Sequence, residues 1–417
     1  MVYSTMRCRH LSLTNFRTYS HLEWDLPAGV SVLSGNNAQG KSNLLEALYM
    51  LATTKSFRTN SERELVSWHA KPDERFARIS AEIERQGSTS RLDIILAEPA
   101  DNEVPPAASG DSVRGPSRAI QKRVRLNQRP RRAMDALGQL NMVLFTPEDV
   151  ELITGAPAQR RRYLDIMLCQ VDPHYLRVLS QYNRVLAQRN ALLRQLRDRR
   201  LPADQLRYWT EQVVELGSEL VVGRNHAIAT LNSYLTDIHP RLVDDRSPLS
   251  VAYRSNVTAT SSAAASGSDT AERVGVLRQE VTAQFTAQLA EQQERERRQG
   301  VTVVGPHRDD IAFTTDGVDL NQFGSRGQQR TAALAVKMAE IELMQQRTGE
   351  RPVLLLDDVL SELDPQRRQL LQDVIASDSQ VLLTTTELRP FTAAFLGVAT
   401  VFEVADGGLL PAGPGSR

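Results

Sequence analysis

Three short segments carry residue types that could do chemistry together. The first, Gly35-Asn36-Asn37-Ala38-Gln39-Gly40-Lys41-Ser42, fits the spacing G-x-x-x-x-G-K-[ST]. Backbone N–H groups from Asn37 to Lys41 can point into one concavity, and a helix opening there adds the positive end of its dipole. Lys41 supplies a cation for β- and γ-phosphates, and the Ser42 hydroxyl can ligate Mg²⁺. A chance Gly-rich turn is the alternative. With five lysines among the 50 Lys and Arg residues, an accidental match to this pattern is rare. The second segment, Val353-Leu-Leu-Leu356, is an unbroken apolar run that ends in Asp357-Asp358. Such a run suits a parallel strand buried on both faces, where an acid is costly without a partner. Mg²⁺ against Asp357 resolves that cost, and Asp358 beside the γ-phosphate can orient or deprotonate a water. Taken alone, the segment reads equally as a strand ending in solvated acids.

The third segment, Gly324-Ser325-Arg326-Gly327-Gln328-Gln329, is a Gly/Ser turn opening a helix. It lies too far along the chain to be part of the first cradle. In ATPases that use such a turn, it touches the nucleotide held by a neighbouring subunit. Ser325, Gly327 and Gln328 would then reach the ATP of a second copy, and ATP would join two subunits.

The elements that must position these residues are legible in outline. Val30–Leu33 reads as a buried strand and Ser42–Ala52 as a helix with Leu44, Leu45, Leu48 and Leu51 on one face, the strand–loop–helix context that a phosphate cradle requires. Leu11/Leu13, Leu22/Trp24/Leu26, Ile79/Ala81/Ile83 and Leu92/Ile94/Leu96 alternate as half-buried strands do, the last two sets as a hairpin across Gln86-Gly87. Glu98–Ser117 is rich in Pro, Gly, Ala and Ser, a surface loop by composition. Asp172-Pro173 is an N-cap and first-turn pair, followed by Leu176, Leu179, Leu186 and Leu193 at coiled-coil spacing. Leu201-Pro202 breaks the pattern, which resumes through Leu206, Trp209, Val213, Leu216, Leu220, Leu231 and Leu235. Two long helices in an antiparallel hairpin are expected. Ser255–Thr270 reads as a linker, Arg326–Gln346 as a helix and Val381–Thr384 as a further strand.

The expected fold class is α/β: an ABC-type P-loop ATPase head, β-rich at its N-terminal part, with an inserted α-helical, antiparallel coiled-coil-like domain. The expected division is 1–155 and 301–417 for the head and 156–300 for the helical insert. Formal net charge is +0, so global charge points to no partner. Local charge says more. From Ala158 to Arg200 there are ten arginines and three aspartates, and from Arg118 to Arg132 seven basic residues and no acid. These stretches either track a phosphate backbone or form solvated faces in an arginine-biased chain. Cys8 and Cys169 lack metal-ligand spacing and make no disulfide framework. Neither a signal peptide nor a membrane-spanning run is apparent, so a cytoplasmic protein is expected.

At this point the chain resembles the RecF family of bacterial recombination mediators, relatives of the ABC and SMC ATPases. Besides the phosphate loop, the resemblance rests on Leu13-Thr-Asn-Phe-Arg17, Lys55-Ser-Phe-Arg58, Phe145-Thr-Pro-Glu-Asp149, Arg160-Arg-Arg-Tyr-Leu-Asp165, Gly305-Pro-His-Arg-Asp-Asp310, Ser325-Arg-Gly-Gln-Gln-Arg330 and Leu354-Leu-Leu-Asp-Asp-Val-Leu-Ser-Glu-Leu-Asp364. It implies that Ser325 and Gly327 form the signature turn acting on the partner's γ-phosphate, and that Asp364 sits at the dimer seam. It further implies an ATP-dependent homodimer that binds single-stranded and gapped or junction DNA, works with RecR and RecO, and supports repair, replication restart and the SOS response. A weak, slow ATPase that acts as an assembly switch follows from the same resemblance.

Two departures from the wider ABC pattern fit slow hydrolysis. Asp358 stands where transport-type ATPases carry Glu, and Thr384-Thr-Thr386 stands where they carry a switch His. The Phe145-Thr-Pro-Glu148 region is the expected place of the Q-loop. His307 and Arg308 either contact nucleotide or DNA or build a structural corner. Of the rival classes, a transporter ATPase fits poorly with the helical hairpin and the missing switch His. An SMC-like structural protein would need a far longer arm, and a small-molecule kinase an acceptor pocket that the sequence does not suggest.

Overall fold

A computed structural model of the chain describes residues 6–70, 75–98, 120–199, 203–243, 247–257, 271–375 and 380–411. Most of the Pro/Gly/Ser-rich segment 98–117, most of the linker 255–270 and the Leu201-Pro202 break lie outside the described residues.

The chain divides into two compact units, Met1–Pro147 with Met344–Arg417, and Glu148–Leu343. The first holds two six-stranded sheets. One is antiparallel, in the order Tyr19–Asp25, Arg7–Phe16, Phe76–Arg85, Ser88–Ala97, Gln121–Leu126, Arg129–Arg131. Its alternation does what period two requires. Leu13, Ile79, Ile94 and Val124 stand opposite one another in a buried row, while Ser80, Asp93 and Arg125 form a row on the other face. The expected hairpin is present, with Arg85 opposite Ser88 across Gln86-Gly87. The second sheet runs Gly408–Pro411, Thr400–Ala405, Val30–Ser34, Val381–Thr385, Val353–Asp357, Met142–Phe145, parallel except for the first pair. Val30–Leu33, Val353–Leu356 and Val381–Thr385 are buried along their whole length, which explains their continuous rather than alternating apolar character.

The helix Lys41–Thr53 lies in one apolar core with the inner face of the antiparallel sheet. It starts one residue earlier and ends one later than its sequence pattern suggests. Leu44, Leu45, Leu48 and Leu51 are buried, and so are Ala47, Met50 and Ala52. A helix buried nearly all round needs no sharp apolar stripe.

The second unit is built on the expected helical hairpin, Pro173–Arg199 and Arg207–Ile238. Asp172 caps the first helix, its Oδ1 accepting from the N–H groups of His174 at 2.8 Å and Tyr175 at 3.0 Å. The buried face of that helix is Tyr175, Val178, Tyr182, Arg189, Leu193 and Leu196, so Leu176, Leu179 and Leu186 are only half-buried. On the second helix Val213, Leu216, Leu220, Leu231 and Leu235 are buried as expected. A three-stranded antiparallel sheet, Val318–Asp319, Asp310–Thr315 and Leu249–Arg254, completes the unit. Residues 301–343 fold with this unit, although the sequence groups them with the C-terminal part of the head.

Candidate functional site

In the second sheet of the first unit, register sets three strand ends side by side. Leu33 pairs with Thr384, and Thr384 with Asp357. The C-terminal edge of an open parallel sheet is where such folds bind ligands. Here the chain leaves Val30–Ser34 into the loop Gly35–Gly40 and re-enters regular structure at the helix Lys41–Thr53. Gly40 is the N-cap, so the first free N–H groups of the helix face the loop.

The side chains expected to meet do meet. Ser42 Oγ donates to Asp357 Oδ1 at 2.7 Å. Thr384 Oγ1 donates to the same oxygen at 2.7 Å and accepts from the Asp358 N–H at 3.0 Å. In the sequence Thr384 is legible only as the residue standing in place of a switch His; the structure makes it the brace of both aspartates. Asp358 has φ 52 and ψ 23, a left-handed conformation that Asp tolerates better than most residues and that concentrates at functional sites. Ser361 Oγ donates to Asp358 Oδ1 at 3.1 Å and to its carbonyl at 2.7 Å. Lys41 Nζ donates to the carbonyls of Gly35 at 2.6 Å and Asn36 at 2.8 Å, so it bends back over the loop. Burial lowers its pKa, and Asp358 and Asp357 oppose that shift by attraction.

Residues outside the three motif segments hold the loop in place. Tyr19 Oη donates to the Gly40 carbonyl at 3.1 Å. Asn43 Nδ2 reaches Thr18 Oγ1 at 3.0 Å, and Asn43 Oδ1 accepts from Arg58 at 2.9 Å. Glu46, fully buried on the phosphate-loop helix, takes a bidentate pair from Arg17 at 2.8 and 2.7 Å and a hydroxyl from Ser56 at 2.5 Å. An acid inside an apolar helix face is the sequence signal that could have found this cluster, because it demands a partner.

Met142–Phe145 ends on the same sheet edge, with Phe145 opposite Leu356. Asp364 caps the helix Pro365–Ile375, its Oδ1 accepting from Arg367 N–H at 3.0 Å and its Oδ2 pairing with the Arg367 guanidinium at 2.7 Å. Partial burial would raise its pKa, but the Arg367 contacts outweigh it and the net shift is downward.

In the second unit, the turn at Ser325 opens the helix Arg326–Thr348 through a reciprocal cap. Gln328 N–H donates to Ser325 Oγ at 3.2 Å, and Ser325 N–H donates to Gln328 Oε1 at 2.9 Å. This is the S-x-x-Q capping box. Ser325, Arg326, Gly327 and Gln328 are exposed, and Phe323 just before them is 73% exposed. Gln329 is turned inward, its Nε2 bonding the Leu320 carbonyl at 2.8 Å.

His307 belongs to a corner. Its Nδ1 lies 2.7 Å from Tyr182 Oη and its Nε2 3.1 Å from the Thr302 carbonyl. Burial pushes its pKa down to about 4. Arg308 is exposed and reaches the Thr302 carbonyl at 3.3 Å. Arg160 and Arg161 are also more internal than their charge suggests, whereas Arg162 is exposed. Arg160 is 5% exposed and holds Asp310 bidentately at 2.7 and 3.0 Å. Arg161 bonds the Asp309 carbonyl. Arg160 is thereby committed to the fold rather than displayed to a phosphate backbone.

The chain is similar to known proteins over nearly its whole length. A family model described as the RecF/RecN/SMC N terminal domain matches residues 7–407. The chain is 44% identical over 412 residues to the DNA replication and repair protein RecF of Chloroflexus aggregans, covering 97% of this chain and 99% of that protein. It is 39% identical over 410 residues to RecF of Limosilactobacillus fermentum, covering 97% and 99%. Among solved structures, the recombination mediator RecF with ATP, from the RecFOR pathway, matches with TM-score 0.82 and 26% identity over 99% of each chain. An Smc head domain from Pyrococcus furiosus matches at TM-score 0.50 and 14% identity, covering 98% of this chain and 96% of that one, a likeness of fold alone.

Proposed function

This chain belongs to the RecF family, and from that premise we propose that it is an ATP-dependent DNA-binding protein of replication and recombinational repair. It dimerises on ATP at single-strand gaps or junctions of single- and double-stranded DNA. With RecR- and RecO-type partners it promotes recombinase loading and the SOS response, in the cytoplasm. Hydrolysis is weak and serves as the assembly switch.

The observation that carries this reading is the convergence of Ser42 and Thr384 on Asp357 beside Lys41. A hydroxyl and a carboxylate oxygen in contact are the hard donors that suit Mg²⁺, so Ser42 and Asp357 would hold the ion. When bound, Mg²⁺ supplies charge neutralisation at the β- and γ-phosphate oxygens. The chain's own groups do the rest. Gly35 to Lys41 enclose the phosphates, Lys41 turns from its loop carbonyls to the γ-phosphate, and Asp358, fixed by Thr384 and Ser361, orients the attacking water.

The signature role of Ser325, Gly327 and Gln328 is supported by their exposure. A Cβ at Gly327 would meet only Ser325 Oγ, at 3.9 Å. Glycine disfavours a helix relative to alanine, by about 1 kcal/mol in the interior and less in the first turn where Gly327 lies, and nothing among the described residues of this subunit requires it. Close approach of a second copy would give its missing side chain a purpose. The turn would thus serve the nucleotide of the partner, although in its own chain residues 301–343 fold with the helical unit.

For DNA, the outer face of the antiparallel sheet replaces Arg160. Arg78, Arg91, Arg123 and Arg125 share this face around Asp93, which is buried and ion-paired to Arg78 at 2.7 Å. Glu82, opposite Arg91, marks where the face turns acidic toward Glu23 and Asp25. Phosphates along a backbone suit such a patch.

The deciding experiment is mass by sedimentation with and without ATP, and with and without gapped DNA. ATP-dependent dimers, strengthened by DNA, are expected. A monomer under all four conditions would overturn the shared site.

A further inference from the structure

The phosphate loop is held from outside by a segment near the other end of the chain. Thr400–Ala405 runs parallel to Val30–Ser34, with Phe402 opposite Leu33 and Glu403 opposite Ser34. It then turns back at Asp406-Gly407 into Gly408–Pro411. Asp406 and Gly407 have φ 48 and φ 72, the paired left-handed residues of a tight hairpin turn. This hairpin meets the loop and its neighbours at three places. The Asp406 N–H donates to Gln39 Oε1 at 2.7 Å across 367 positions of sequence. At the start of the loop, a Cβ on Gly35 would lie 2.4 Å from the Val404 carbonyl oxygen. On the other side, a Cβ on Gly407 would lie 2.8 Å from the carbonyl oxygen of Thr18, whose hydroxyl bonds Asn43 on the phosphate-loop helix.

We propose that the Asp406-Gly407 turn is a clamp that positions the phosphate loop, with the Asp406 N–H and Gln39 Oε1 as its working contact. The proposal rests on the nucleotide reading of the loop. Its physical content is preorganisation. A loop of six residues between Ser34 and Lys41 must keep its peptide N–H groups turned inward to bind phosphate, and an unheld loop loses entropy each time it does so. Gln39 belongs to the arc Asn36–Gln39, whose Asn36 end is held by Lys41 Nζ on its carbonyl at 2.8 Å and whose Gln39 end meets the Asp406 N–H. Tyr19 fastens the Gly40 end with its hydroxyl, the Val404 backbone packs closely against the Gly35 end, and the bond from Asp406 fixes the arc between them. The hairpin thus acts on nucleotide through Gln39, as a positioning element and not as a catalytic one.

The test is a double-mutant cycle on the full chain, read by equilibrium binding of ATP, by kcat against KM, and by thermal unfolding without nucleotide. Gln39→Leu removes the acceptor at similar size. Asp406→Pro removes the donor and forbids the left-handed backbone. Each should weaken ATP binding and raise KM roughly fivefold, the scale of one hydrogen bond, with kcat changed far less. Asp406→Asn keeps both the N–H and the left-handed conformation and should restore affinity. The double variant should lose little beyond either single change, because both remove one contact. If Asp406→Pro fails to fold, Gln39→Leu against Asp406→Asn still decides. Parental affinity in Gln39→Leu, or full additivity in the cycle, would overturn the clamp. Lys41→Met separates the two ideas: if it abolishes ATP binding while Gln39→Leu does not weaken it, the clamp fails and the nucleotide site stands. If Lys41→Met also binds ATP normally, the site itself fails.

Discussion

Ser42 Oγ and Asp357 Oδ1 lie 2.7 Å apart although 315 positions separate them in the chain. That single contact joins the helix that opens at the phosphate loop to the strand that ends in two aspartates, and Thr384 fixes it from a third strand. Everything proposed for the site depends on this junction.

Lys41→Met should weaken ATP binding by roughly 100-fold, the scale of removing one partner of a buried charged contact. The fold should survive, because the hydrogen bonds of Lys41 Nζ go to carbonyls of its own loop. Equilibrium binding of ATP together with a thermal melt checks both halves. Unchanged affinity would remove the phosphate loop from the site.

Asp358→Asn should bind ATP and hydrolyse it at least roughly 100-fold more slowly, because it removes the candidate base and leaves Asp357 in place. Dimers should then persist. Thr384→Val tests the brace separately. It removes a donor to Asp357, and the Mg²⁺ concentration needed for half-maximal ATP binding should rise roughly 10-fold, with Thr384→Ser close to parental. A Mg²⁺ titration in which Thr384→Val overlays the parent would show that the hydroxyl is incidental.

How much of this is legible in sequence depends on sequence distance. The phosphate loop and the strand ending at Asp357 are local patterns, and local physics writes them plainly. The turn at Ser325 also reads locally as the opening of a helix, and the structure adds its reciprocal cap with Gln328. The Gln39–Asp406 bond cannot be read, because one partner is a backbone N–H that carries no side-chain signature. Arg160 misleads for a related reason. Its charge is visible in sequence, but Asp310, 150 positions away, decides whether that charge meets solvent or the core. The first helix of the hairpin shows the same limit. A leucine repeat suggests one face, while Tyr175, Val178 and Tyr182 form the buried one, since aromatic rings fill more core than the leucines beside them.

Replacing Arg123 and Arg125 together by Ala should lower DNA affinity without sequence preference. For each phosphate that loses its arginine, the log–log salt slope should fall by roughly 0.9 on duplex. Arg160→Ala should behave differently. It strands Asp310 and should cost on the order of 3 kcal/mol of stability, visible as a lower melting temperature. A parental salt slope for the Arg123/Arg125 pair would move the DNA surface elsewhere.

His307 predicts a pH signature. Its pKa is about 4 in the folded chain against an ordinary value of 6.5. Between those values the unfolded chain binds more protons than the folded one, so stability falls as pH drops from about 6.5 toward 4. The full loss is on the order of 3 kcal/mol. His307→Gln should flatten that part of the stability profile in urea titrations at a series of pH values. A profile as steep as the parent's would assign the acid sensitivity to other groups.

Ser325→Arg should separate nucleotide binding from assembly. Ser325 is exposed at the first turn of Arg326–Thr348, where its hydroxyl, the helix N–H groups and the dipole can receive a γ-phosphate. In the proposed dimer that phosphate belongs to the partner. An arginine there should block closure and leave the subunit's own loop untouched, so the variant should bind ATP as a monomer, fail to dimerise and lose ATPase activity. Mixing it with Lys41→Met is the decisive step. The Ser325→Arg subunit brings an intact phosphate loop, the Lys41→Met subunit an intact turn, and one composite site of the two forms. ATPase activity well above either variant alone is the expected result. If the mixture stays silent, or if Ser325→Arg loses ATP binding as a monomer, the turn serves its own subunit and the site is not shared.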